Sequence, residues 1–387
     1  LALRCTLTVN AGNHRRAQCP VTAYLPWSYR DAHSVELVDI ATKDTIPCQV
    51  IQASSGIRVT WIIGKLEAGS TRRLRVRGFR ERNRDERVKV EEQADVHEVK
   101  VTMSGKPFTT YHHGHQWVRP FLHPVIGPYD TPVTRSWPIR DDVKGEEQDY
   151  PHHKSLWVAY GECGRVDNWS ELPGHGSQIH RAFSDASSGS VYGRIAAKTE
   201  WMTANNKPQF EDTRDIRMYA LRGGEKIVDV SVTLRMTRQA VTFRGTKEGG
   251  LLCVRTATPM EVRHGGAIEN ACGAINQDEA WGRRSPWCDY SGRVHEKSVG
   301  IAVMDHEDNP RHPTYWHVRN YGLMTANCFG VRHFRPSEQT RGDMTFRKGS
   351  ATTWRYRVYI HKGDARRGRV AEKYCDYVYP PTITVDS

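Results

Sequence analysis

The chain has 387 residues, 38% of them hydrophobic, enough to bury a sizeable core and to form more than one domain at roughly 100–200 residues each. No run approaches the ~18–20 consecutive apolar residues of a membrane-spanning helix, so no membrane partner is expected. The net charge of +12 suits an anionic partner, but no helix-turn-helix, zinc-finger or RNA-recognition signature accompanies it, and nucleic acid is set aside.

Along the chain, period-two alternation dominates and helical periodicity is scarce. Short strands at Cys5–Val9, Val35–Ile40, Ile57–Ile63 and Arg73–Val76 are separated by turn signals such as Ala53-Ser54-Ser55-Gly56 and Ala68-Gly69-Ser70, which predicts a small β-sandwich accessory domain over residues 1–95. The densest basic run, Arg72 to Arg87, is diluted by acids and alternates with apolar residues, as an exposed strand face does. The mixed-charge tract from Arg80 to Glu98 marks the boundary.

Residues 96–387 carry many strands without a repeat of fixed period, which predicts a large antiparallel β-sandwich, supersandwich-like in size. Val228, Val230, Val232, Leu234 and Met236 alternate with polar residues, as do Trp354, Tyr356, Val358 and Ile360. One short helix is expected, from Ala365 to Tyr374 with Asp364 as its N-cap. The nine cysteines include no C-x-x-C pair, which argues against a zinc ribbon or a thioredoxin-type site.

Chemistry in such a fold belongs in loops or on the polar face of one sheet, and four segments gather the candidates. They are Arg119–Gly127 with Thr134-Arg135, Asp149–Trp157, Thr246–Gly250 coupled to Trp281–Gly292, and Asp305–Arg319. An extended Tyr315–Arg319 places Tyr315, His317 and Arg319 on one face with Trp316 and Val318 packed behind. Asn309-Pro310-Arg311-His312-Pro313 makes the preceding turn. His113-Gly114-His115 has the spacing of two imidazoles on one strand face, as in cupin metal sites, but Gln116, Trp117 and Val118 follow where a carboxylate is needed. There is no G-x-S-x-G elbow and no Gly-rich phosphate loop.

The same segments resemble the PmoA-like family of bacterial proteins, named after a methane oxygenase subunit. The matching stretches are Arg119–Gly127 with Thr134-Arg135, Asp149–Gly161, Thr246–Gly250, Trp281–Gly292 and Met304–Gly322, within residues ~100–375. The resemblance implies a sandwich similar to the galactose-mutarotase supersandwich and a role in bacterial carbohydrate use; the compartment, bacterial cytoplasm or periplasm, is left open. Tyr150 and Lys154 depart from the family's usual second motif, and Lys154 lacks the bidentate geometry of an arginine.

The expectation is a carbohydrate-active enzyme, a glycoside hydrolase or a lyase acting on a sugar or keto-sugar by His/carboxylate acid–base chemistry. His153, Glu248, Asp289 and His317 are the acid–base candidates. Arg135, Lys247 and Arg319 would bind substrate oxygens, with Trp157, Trp281 or Trp316 as a stacking platform. No cofactor is fixed; there is room for a divalent metal, with His152, His306 and His312 as candidate ligands. The rival readings are a non-catalytic carbohydrate-binding protein and a metal-dependent oxygenase. The oligomeric state is left open.

Overall fold

The computed structural model describes residues 4–29, 31–79, 85–338 and 341–386, so the stretch 80–84 of the basic run lies outside the described residues. The chain is mostly β, built as a large antiparallel sandwich with a smaller one at its N-terminal end. In the small unit a five-stranded sheet faces a three-stranded sheet made of Arg16–Pro26, Gly56–Leu66 and Cys48–Ala53, with Leu7, Val21, Val59, Trp61, Leu74 and Val76 buried between them. Strand Thr71–Phe79 shows why the basic run is soluble: Leu74 and Val76 point into this core, while Arg73, Arg75 and Arg77 face water.

Two eight-stranded sheets form the large sandwich. The alternation of Lys226–Arg235 against Ala351–Lys362 sets its register, pairing Val228 with Val358, Val230 with Tyr356 and Val232 with Trp354 on the inner face. Their other face is not solvated. Ile227, Tyr219, Tyr359, Ala302 and Met304 form a second apolar cluster there, packed against the helix Val370–Val378 and against Ile51 and Ile62 of the small unit. Two strands cross the 95/96 division: Val88–Gln93 is the edge of a large sheet, and Thr382–Asp386 pairs with Arg4–Asn10. Arg16 and Asp376, both nearly inaccessible, pair at 3.2 Å across the junction.

The helix begins five residues later than its pattern predicts. Asp364 Oδ1 does accept a hydrogen bond, from Arg367 N at 2.8 Å, but it closes only a turn, and Arg369 adopts a left-handed φ of 55° before the regular helix starts at Val370. It is not alone, since Asn276–Ala280 and Val331–Phe334 are also short helices. No helix among the described residues is long and apolar enough to cross a membrane.

The other large sheet runs from the edge strand Tyr315–Arg319 through Leu323–Asn327, Gly249–Arg255 and Leu156–Tyr160 towards Val88–Gln93. Its inner residues Leu156, Val158, Tyr160, Val254, Trp316 and Val318 enter the main core. Its outer face carries a third cluster of Phe121, Trp157, Ala159, Trp169, Cys253 and Leu323, against which Tyr321 packs. Loops 149–153 and 161–172 rise over this outer face and enclose a cleft.

Candidate functional site

The cleft has a volume of about 800 Å³, and its walls include His152, His153, Glu248, Lys247, His317 and Arg319. The glycines after Glu248 explain how a carboxylate reaches it. Gly249 has a φ of +86°, and a Cβ on Gly250 would lie 2.2 Å from the Ala326 carbonyl oxygen, so the strand can enter the sheet only with glycine at both places. Thr246–Glu248 is thereby held at the strand's mouth, with Asn327 Nδ2 donating to the Thr246 carbonyl at 2.9 Å and Glu248 ion-paired to Lys247.

Two neutral imidazoles form the floor, and their hydrogen bonds assign opposite tautomers. His317 Nδ1 faces the Lys247 carbonyl, so it carries the proton; Nε2 is then the acceptor that receives Arg319 Nε–H at 3.2 Å. Burial, reinforced by the Arg319 and Lys247 charges, lowers the His317 pKa to about 3. In His153 the arrangement is reversed. Arg255 Nη1 donates to Nδ1 at 3.2 Å, which leaves the proton of the neutral ring on Nε2. Burial, then the neighbouring His152, Arg255 and Arg135, holds this ring well below the ordinary histidine range. The His317 lone pair is thus spent on orienting Arg319, while His153 offers an N–H donor. Neither is protonated at neutral pH.

Beneath the floor lies a buried charge network. Arg255, wholly inaccessible, reaches Asp149 Oδ1 at 3.1 Å and Glu261 Oε1 at 3.3 Å, and its guanidinium lies 4.9 Å from the Tyr321 ring. Arg135, also inaccessible, donates to the carbonyls of Asp149 and Tyr150 at 2.9 and 3.2 Å. These bonds hold Tyr150 at a left-handed φ of 41°, where its ring stacks on His153 and Tyr321 at 5.1 and 5.0 Å. With Trp169, 5.2 Å from His153, they give the cleft an aromatic wall of which Tyr150 is the exposed member.

The structure brings together His152, His153, Lys247, Glu248, His317 and Arg319, drawn from segments up to 167 residues apart. Trp281 stands beside them, 5.5 Å from the Arg319 guanidinium and 6.5 Å from the His317 ring. The remaining candidates are corrected. Asp289 lies in the opposite sheet, buried and bonded to His361 Nε2 at 2.7 Å, because its strand turns that face, with Trp287, towards Ala365 and Val370 and not the cleft. Arg135 positions backbone and cannot reach a ligand. Trp157 is buried under His153, stacked at 5.6 Å, and Trp316 fills the core with Nε1 on the Ser285 carbonyl at 2.8 Å, so neither is a stacking surface. Lys154 is a clasp below the site, donating to Glu171 Oε2 at 3.1 Å.

His306 and His312 do not join His152. His306 packs against Tyr377 at 4.9 Å, and His312 Nδ1 bonds Asp305 Oδ2 at 2.8 Å in the turn. His113 contacts His180 and His97 instead of a carboxylate, at ring distances of 4.4 and 5.8 Å. Among the described residues no three His, Cys, Asp or Glu side chains converge to hold a metal ion. Sequence reasoning passed over Arg255, Tyr150, Trp169 and Tyr321 as parts of the site. Arg255 ends a strand buried on both faces, where alternation gives no signal.

The model of a family of unknown function (DUF6807) matches residues 98–375, which contain the whole cleft. No curated protein matches the chain. Among solved structures, a protein in the glycosyl hydrolase family 38 from Enterococcus faecalis aligns with a TM-score of 0.43 and 8% identity over 100% of this chain and 47% of its own. The chain thus spans about half the length of that protein.

Proposed function

The chain belongs to the DUF6807 family, and from the chemistry of its cleft we propose that the protein is a carbon–oxygen lyase acting on an oxidised sugar, one with a carbonyl beside the carbon that loses its proton. The observation that carries this reading is a half-exposed carboxylate, Glu248, set against Lys247 and above two neutral imidazoles of opposite tautomer. A glycoside hydrolase of the usual kind needs two working carboxyl groups facing the bond. Of the other acids lining the cleft, Asp167 accepts from the backbone N–H of Trp169 and Ser170 at 2.7 and 3.0 Å, and Glu162 is paired with Arg244 at 3.1 Å. Glu248 is ion-paired too, but to the neighbouring Lys247, whose own carbonyl binds His317, so it is the carboxylate held beside both cations and imidazoles, the set an elimination requires.

In this reaction Glu248 takes the proton from the carbon next to the carbonyl, and the electron pair forms an enolate. Arg319, Lys247 and the His153 Nε2–H are the groups available to hold its oxygen. The enolate then collapses, the carbon–oxygen bond to the leaving group breaks, and Glu248 returns its proton to the departing oxygen. The products are an unsaturated carbonyl sugar and a free alcohol. Tyr150 supplies the stacking face that sequence assigned to tryptophan. The test is incubation with 3-keto-glycosides and their native parents, with products separated by mass spectrometry. Unsaturated keto-sugar from the wild type and its absence with Glu248→Gln are expected; hydrolysis products, or an equally active Glu248→Gln, would overturn the reading.

A further inference from the structure

A second pocket of about 750 Å³ opens on the same edge of the sheet, lined by Cys272, Glu279, Arg283, Arg284, Tyr315 and Arg335 among others. Its place relative to the cleft follows from strand geometry. Tyr315, His317 and Arg319 point to one side of the edge strand, so Tyr315 in the second pocket and Arg319 in the cleft are about 13 Å apart along one face. Aromatic rings connect the two: Trp281 lies 5.5 Å from the Arg319 guanidinium and 5.2 Å from Phe334, and Phe334 lies 5.7 Å from Tyr315.

The segment after Trp281 is fixed to the strand. Gly282 N donates to the Trp316 carbonyl at 2.8 Å, Trp316 N to the Arg283 carbonyl at 3.1 Å, and Ser285 N to the Thr314 carbonyl at 3.1 Å. Arg284 is locked over Tyr315, with Nε and Nη2 on the carbonyls of Pro313 and His312 at 2.8 and 3.0 Å. Three arginines therefore meet one acid, Glu279, whose Oε2 already accepts the Ile275 N–H at 2.8 Å. A cavity with this balance favours an anion, and arginine favours planar or tetrahedral oxyanions.

We propose that this pocket is an oxyanion subsite for an acidic oligosaccharide, taking a carboxylate or sulfate on a sugar further along the chain than the residue held in the cleft. The inference rests on the lyase reading and adds to it the substrate class: an anionic oligosaccharide longer than a monosaccharide, laid past the partly exposed Trp281, which the buried Phe334 backs.

Cys272 gives the pocket its own reporter, since it is exposed while Cys5, Cys19, Cys48, Cys163, Cys253, Cys288 and Cys328 are buried. Alkylation of Cys272 by iodoacetamide, followed on its peptide by mass spectrometry, is measured with oligogalacturonides, sulfated oligosaccharides and neutral cello-oligosaccharides of equal length, and with inorganic sulfate. Acidic oligosaccharides are expected to protect Cys272 where neutral ones do not, and the uronate and sulfate arms identify the anion. In the Arg283→Ala/Arg335→Ala variant their affinity should fall roughly 10- to 100-fold, the loss expected for charge-assisted hydrogen bonds, with neutral-sugar binding unchanged. Equal protection by neutral and acidic sugars would overturn the subsite and leave the lyase reading intact. Protection by inorganic sulfate as strong as by any oligosaccharide would overturn the link to a saccharide. Failure of every saccharide to bind would overturn both.

Discussion

Replacing Arg255 by Met should be the most damaging single change beneath the cleft. The guanidinium is wholly buried and reaches His153 Nδ1 at 3.2 Å, Asp149 at 3.1 Å and Glu261 at 3.3 Å. Its loss leaves Asp149 to Arg135, while the inaccessible Glu261 retains the half-exposed Arg263 at 2.7 Å. Removing one partner of a buried ion pair costs about 3–5 kcal/mol, and the expected loss lies in that range. Its pH dependence is diagnostic. Burial already raises the Glu261 pKa against the opposing charge of Arg255, and Arg255→Met raises it further. The folded variant then holds a proton on Glu261 that the unfolded chain has released, so its stability deficit grows as pH rises through the carboxylate range. Urea denaturation at about pH 4 and about pH 7 measures both effects. A loss under about 1 kcal/mol, or the same loss at both values, would refute this account of the network.

Three further outcomes follow. Burial opposes the charged form of His361, but the charge and hydrogen bond of Asp289 outweigh it and leave the pKa raised. The pair's stabilisation is therefore full below the unfolded value of about 6.5 and fades as pH rises through the folded one; Asp289→Asn should remove this slope in urea midpoints and leave kcat/KM unchanged. Trp316→Ala should cost about 3–5 kcal/mol without altering KM, measured by thermal unfolding and steady-state kinetics, because the ring lies in the core. The pH profile of kcat/KM should show no inflection near the ordinary histidine value of about 6.5, since His317 titrates at about 3 and His153 well below that range.

What the sequence disclosed was face, and what it concealed was which face mattered. Alternation in Tyr315–Arg319 placed His317 and Arg319 together and Trp316 behind them, and the structure agrees at each residue. Asp289 shows the limit: Trp287–Val294 is buried at every position but Arg293, so nothing in it says which face borders a cleft and which is covered from behind. Where both faces are buried, as in Gly249–Arg255, the pattern vanishes and Arg255 with it. Tyr150 could be read only as a departure from a motif, because its role depends on a backbone conformation imposed by Arg135 from 15 residues away. The helix start failed for a local reason, the left-handed turn at Arg369, which no apolar periodicity encodes.

The claim at the centre is that Glu248 removes a proton from carbon. Hydrogen–deuterium exchange at the carbon beside the carbonyl, followed by NMR of a 3-keto-glycoside in D₂O, measures that step without waiting for product. Exchange with the wild-type protein, abolished in Glu248→Gln while substrate binding persists, is the predicted result. Exchange that continues in Glu248→Gln, or glycosidic cleavage by the wild type whose sugar product keeps the original hydrogen on that carbon, would contradict it.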